Sequence, residues 1–117
     1  MITITDSASM ARVLSDVTDT ILKGILTDRV EQLSQYDGYD LGELAHFLIV
    51  QPGDALGAIE AALVFPPLSS TWETVTDHGG WFEAVFILSD DGFGWVLVVP
   101  DDLGIPHELL KRFPRHQ

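Results

Sequence analysis

From Met10 to Leu33 the apolar residues fall three and four apart, whereas from Thr71 to Val99 they come in nearly unbroken runs. The first rhythm is that of amphipathic helices and the second that of buried strands. Asp6 or Ser7 offers an oxygen to the free amide hydrogens of a first helical turn. Met10, Val13, Leu14, Val17 and Ile21 then make one apolar stripe. Ile25, Leu26, Val30 and Leu33 continue it to about Tyr36, past Gly24, where the helix is expected to end or weaken. Ahead of it, Ile2 and Ile4 alternate with threonines as in a short edge strand; behind it, YDGYD at 36 to 40 reads as a turn.

The stretch LGELAHFLIVQPGD at 41 to 54 carries both rhythms. Leu41, Leu44 and Leu48 fit a helix, but the Phe-Leu-Ile-Val run against Pro-Gly fits a buried strand over about 44–51 better. Asp54 is expected to cap a short helix through Leu56, Ile59, Ala62 and Leu63, and the consecutive prolines of VFPPLSS make a loop. WETVT, WFEAVFIL and GWVLVV then read as three strands. Their connections, DHGG and SDDGF, are short enough to force antiparallel neighbours. Asp102 to Phe113 reads as a closing helix entered through Pro106.

The expected architecture over residues 1–117 is therefore one α+β domain. N-terminal helices and a short middle helix pack on an antiparallel sheet of about four strands, of which the last three form a meander, and a short C-terminal helix follows. Strand 81–88 presents Trp81, Glu83, Val85 and Ile87 on one face and Phe82, Ala84, Phe86 and Leu88 on the other; strand 94–99 is also apolar on both sides. A sheet with one wet face alternates instead. With few helices to cover two apolar faces, a homodimer is expected.

Composition narrows the class. Hydrophobic residues at 46% and charged residues at 21% suit a globular protein, and the absence of cysteine excludes disulfides, thiolate metal ligands and cysteine nucleophiles. The first residues lack a basic region leading into an apolar run, and no apolar run approaches the ~20 residues that span a bilayer. A cytoplasmic protein with no membrane association is the expectation.

Eighteen acids against six bases give a net charge of −12, and no lysine or arginine occurs between Val30 and Leu110. A middle so poor in cations cannot follow a phosphate backbone, which argues against direct nucleic-acid binding. A partner with a basic surface suits it, and Asp37, Asp40 and Glu43 are the acidic candidates for meeting one. Net charge of this size also simply keeps proteins apart in solution.

Candidate chemistry is sparse. Asp90, Asp91 and Gly92 look like a calcium or acid–base site, but Asp-Gly between apolar strands is a strong hairpin signal, and Phe93, Gly94 and Trp95 supply no further ligand oxygen. They are read as a structural turn with Gly92 at positive φ. The GFG of residues 92–94 leads into a strand and lacks the rest of any phosphate-binding signature. His107-Glu108 begins like a zinc-protease helix, but Lys111 stands where the second histidine belongs. The best remaining cluster is Glu73, His78 and Glu83, which the DHGG turn folds toward each other, with His46 able to join if its strand neighbours 71–77. One imidazole and two carboxylates suit a metal or general-base site; carboxylates on an outer strand are also commonly just solvated.

With no convincing catalytic set, the leading expectation is a non-enzymatic protein–protein interaction module, regulatory or inhibitory, that needs no cofactor. The alternatives are a small metal-assisted enzyme built on Glu73, His78 and Glu83, and an acidic DNA-charge mimic or antitoxin-like protein.

Overall fold

A computed structural model describes residues 1–55, 58, 70–88 and 94–101. The chain runs through β1 (Ile2–Ile4), α1 (Ser7–Asp16), α2 (Thr20–Leu33), the single turn α3 (Leu41–Leu44) and β2 (Ala45–Ile49). β3 (Ser70–Asp77), β4 (Trp81–Leu88) and β5 (Gly94–Pro100) follow. The class is α+β, as expected, but the sheet is five-stranded and mixed, in the order β1-β2-β5-β4-β3.

The C-terminal meander is present, with β3–β4 and β4–β5 antiparallel. The expected all-antiparallel sheet of about four strands is corrected by β2, which joins β5 in parallel while β1 pairs antiparallel with β2. Burial accounts for the choice of neighbour. Phe47, Leu48 and Ile49 are all fully buried, so β2 needs an interior position, and β5, buried at every residue, offers the apolar edge of the meander. β3, with its threonines and acids, is left as an edge.

The apolar rhythm of the first third gives two helices, with the break at Val17–Asp19 instead of Gly24. Val17 is extended, and the Asp19 carboxylate accepts hydrogen bonds from Ile21 and Leu22 N–H, starting α2. Gly24 lies inside α2. The restart turns Ile21 outward and brings Leu22, Ile25 and Leu26 into the core. The ambiguous stretch after Asp40 realises both of its patterns: one helical turn over Leu41–Leu44, then a strand. The core lies between these helices and the sheet face carrying Ile4, Phe47, Ile49, Val96 and Val98.

On the opposite face, Leu48, Ala84, Trp95, Leu97 and Val99 are buried within one chain, so among the described residues the apolar surface along β5 is covered. The hairpin expected over 81–88 and 94–99 is present as the β4–β5 pairing. Its tip at Asp90, Asp91 and Gly92, most of the helix expected after Asp54 and the helix expected over 102–113 lie outside the described residues.

One close approach fixes how the two halves of the N-terminal region meet. A Cβ on Gly42 would overlap the Thr5 carbonyl oxygen and stand 2.7 Å from its carbon and 3.0 Å from Asp6 Cα, all of them backbone atoms that cannot swing aside. Gly42→Ala is expected to destabilise the protein by roughly 1–3 kcal/mol through overpacking. Gly24→Ala, with nothing within 4 Å of its new methyl, is expected to stabilise it by about 0.5–1 kcal/mol. Urea denaturation of the two variants tests the packing; equal midpoints would contradict it.

Candidate functional site

Within the cluster Glu73, His78 and Glu83, the fold joins His78 to Glu83. Glu83 is 5% exposed, the one charged side chain buried among the described residues. The pairings place it in a row across the sheet with Ile2, Ile49, Val98 and Thr76, on the side that faces the helices. His78 Nε2 lies 2.9 Å from Glu83 Oε1, and the ring nitrogen donates, since a carboxylate can only accept. Arg29, reaching down from α2, donates from Nε to Glu83 Oε2 at 2.6 Å. A second donor of the same guanidinium holds Gln32 Oε1 at 2.9 Å.

The register of β3 shifts between Trp72 and Thr74, so Glu73 is the extra residue of a bulge with no partner position on β4. Asp77 spends its Oδ1 on Gly79 N–H, closing the turn. In that turn Gly79 and Gly80 both have positive φ, the arrangement of primed hairpin turns. Asp101 clips the turn from the end of β5, accepting from Gly80 N–H at 2.8 Å. His46 does not join Glu83: β5 and β4 stand between β2 and β3, and His46 sits edge-on to Trp95 with ring centroids 5.3 Å apart. Burial holds its imidazole below the usual histidine range.

Both oxygens of Glu83 are thus occupied, one of them by a permanent cation that would repel a metal ion. Among the described residues no three His, Asp or Glu side chains converge as a metal site. Arg29–Glu83–His78 reads as a polar tie between α2, β4 and the β3–β4 turn. Arg29 was not among the sequence candidates, although a signal exists. It falls on the α2 stripe of Leu22, Ile25, Leu26 and Leu33, and Glu83 interrupts an otherwise apolar strand, so each marks a buried charge that requires the other.

The second candidate group, Asp37, Asp40 and Glu43, also divides. Asp40 and Glu43 form a capping box on α3. Asp40 also accepts from Ser7 N–H, while the Ser7 hydroxyl accepts from Leu41 N–H, so the starts of α1 and α3 cap each other. The Ser7 hydroxyl, followed by Gly42 N–H, holds the Asp40 carboxyl below the usual aspartate range. Asp6, through Ser9, Asp19, through Leu22 N–H and then Trp81, and Asp54, through Gln51 N–H and the terminal ammonium, are lowered likewise.

Asp37 has no such structural part among the hydrogen bonds described. It is exposed, between Tyr36 and Tyr39, which are 56% and 61% exposed, in a turn that Gly38 makes at φ 86°. This turn borders an open groove of about 400 Å³ between α1 and the C-terminal end of α2, floored by Met10, Leu14, Val30 and Leu33. Neither a family model, nor a curated protein, nor a solved structure matches the chain.

Arg29→Met strands a buried carboxylate and is expected to cost roughly 3 kcal/mol, the lower end for breaking a buried pair, because Arg29 itself reaches solvent. Adding Glu83→Met is expected to recover most of that loss. A double-mutant cycle by denaturation measures the coupling, and strictly additive effects would deny the tie.

The lowered aspartates set an acid limit. Their folded pKa values lie below the ordinary 3.8, so their contribution is present above about pH 3.8 and is lost as pH falls through the folded values. Stability is expected to fall steeply below pH 4, and Asp40→Asn, already neutral, to shed less between pH 5 and pH 3 than the parent. Denaturation midpoints across that range check it; parallel losses would contradict it.

Proposed function

We propose that this chain is a non-enzymatic protein-interaction module of the cytoplasm that meets a basic surface of its partner with the turn over residues 36–40. The carrying observation is the exposure of Tyr36 and Tyr39 on either side of Asp37. A tyrosine has a large apolar ring, a polar tip and few rotamers to lose, which is why tyrosines are enriched where proteins meet. Left in water for no structural return, two of them beside an acid form a contact surface. The absence of Lys and Arg from Val30 to Leu110 supports the charge of the partner, since nothing in that span offsets the negative field around the turn. The engagement of both Glu83 oxygens speaks against the metal-assisted alternative. The reading needs no second copy of the chain.

Charge reversal tests it, confined to acids outside the caps. Asp37→Lys with Glu31→Lys, both exposed, is expected to weaken retention of a bound partner from cell extract and to leave the fold intact. Raising salt, which shortens screening to less than ~8–10 Å, is expected to do the same in the parent. Retention indifferent to both salt and reversal would mean that the acidity only solubilises.

A further inference from the structure

We infer that the groove between α1 and the C-terminal end of α2 is the seat of a basic amphipathic helical segment of another protein. The inference rests on the interaction reading above and gives that surface its occupant. Two helices and the turn that follows them form the walls. Leu14, Val30 and Leu33 pack against the core from one side and stay half-exposed on the other, so the floor is apolar but unfinished. Ala11, exposed on α1, keeps the groove open because it has no bulk to fill it.

The chemistry of the rim selects the charge of the occupant. Among the described lining residues there is one ionised group, Asp37, and no cation. The three bases of the N-terminal third are placed elsewhere: Arg29 holds Glu83, Arg12 lines a different groove beside Trp81, and Lys23 is not among the residues lining this one. Among the described residues an anionic ligand finds nothing in the lining to neutralise it. A lysine or arginine finds Asp37 and the faces of Tyr36 and Tyr39, which attract cations through their ring quadrupoles. An open apolar trough with a charged, aromatic rim is the setting in which amphipathic helices dock, their apolar side chains spaced i, i+3, i+4 and i+7 toward the floor. The capping that links Ser7 to Asp40 and Leu41 ties the α1 wall to the turn that carries the rim, so the site is formed before anything binds.

The test uses a synthetic peptide with leucine at helical i, i+3, i+4, i+7 spacing and lysine between. Two controls accompany it, one with the leucines rearranged to strict alternation and one with glutamate for every lysine. Calorimetry gives affinity, and NMR shifts of the Met10 methyl and the Tyr36 and Tyr39 rings give location. The helical lysine peptide is expected to shift all three residues and to lose about tenfold in affinity on Ala11→Phe, which fills the groove from an exposed position. Ala11→Lys, which sets a cation in the groove from the same exposed position, is the second variant, should the phenylalanine disturb folding. Equal binding to parent and groove variants would overturn the groove while leaving a basic partner in place, because charge alone would then carry the contact. Equal binding of the alternating peptide would overturn the helical occupant. Equal binding of the glutamate peptide would overturn the basic one. Absence of binding by the helical lysine peptide would overturn the inference itself, whereas failure of the interaction reading shows separately, in partner retention indifferent to Asp37→Lys and Glu31→Lys.

Discussion

The fold turns on a place where two backbones touch. Gly42, at the second position of α3, lies directly against the Thr5 carbonyl, where any side chain would intrude. The contact joins the end of β1 and the entry to α1 to the entry of β2, three residues further along the chain. Ser7 and Asp40 then complete the amide accounts of two helix starts at once, each serving the other's first turn. Because β1 pairs antiparallel with β2, the junction also sets the register Ile4↔Phe47, on which the rest of the buried face is aligned.

Glu83 plays a comparable part at the other side of the core. Apolar contacts alone let a helix roll or slide on a sheet at little cost, since leucine and isoleucine substitute for one another against a flat face. A buried carboxylate admits far fewer positions, because leaving it unpaired is expensive. Arg29 fixes the rotation of α2 about its axis, and the Asp19 carboxylate, accepting from Ile21 and Leu22 N–H, fixes where α2 starts. The polar tie restricts how α2 can sit on a core that is otherwise apolar and includes Phe47 and Met10.

What the sequence disclosed followed from local physics. The helix periodicity over residues 10–33, the cap at Asp6, the edge strand at Ile2 to Ile4 and the three-stranded meander all leave short-range marks, and all are present. The position of β2 was not legible, because parallel pairing with β5 depends on which meander edge is most apolar in three dimensions. Of the two outcomes expected at Gly24, the helix is not ended there but runs through it, since Asp19 offers α2 two hydrogen bonds while a glycine costs it only about 1 kcal/mol; the break at Val17–Asp19 was not legible. In the candidate cluster, His78 and Glu83 were brought together by a turn that the sequence spelled out. Arg29 came from a helix 54 positions away, and the register shift at Glu73 left no local mark.

The division of labour among the acids bears on what the negative charge does. Asp6, Asp19, Asp40 and Asp54 are engaged in capping and turn closure, which at first sight removes them from any role in recognition. A hydrogen bond to an amide does not neutralise a carboxylate, however; it holds the group in its ionised form to lower pH than an unbonded one. The caps therefore make the surrounding field more constant as well as holding the helices. A partner approaching from beyond a Debye length feels the sum of all these charges, whereas at contact it meets only those with an open lone pair and a free side chain. In the proposed interaction, steering would belong to the whole acidic surface and specificity to the few groups the fold has left uncommitted, with Asp37 between its two exposed tyrosines foremost among them.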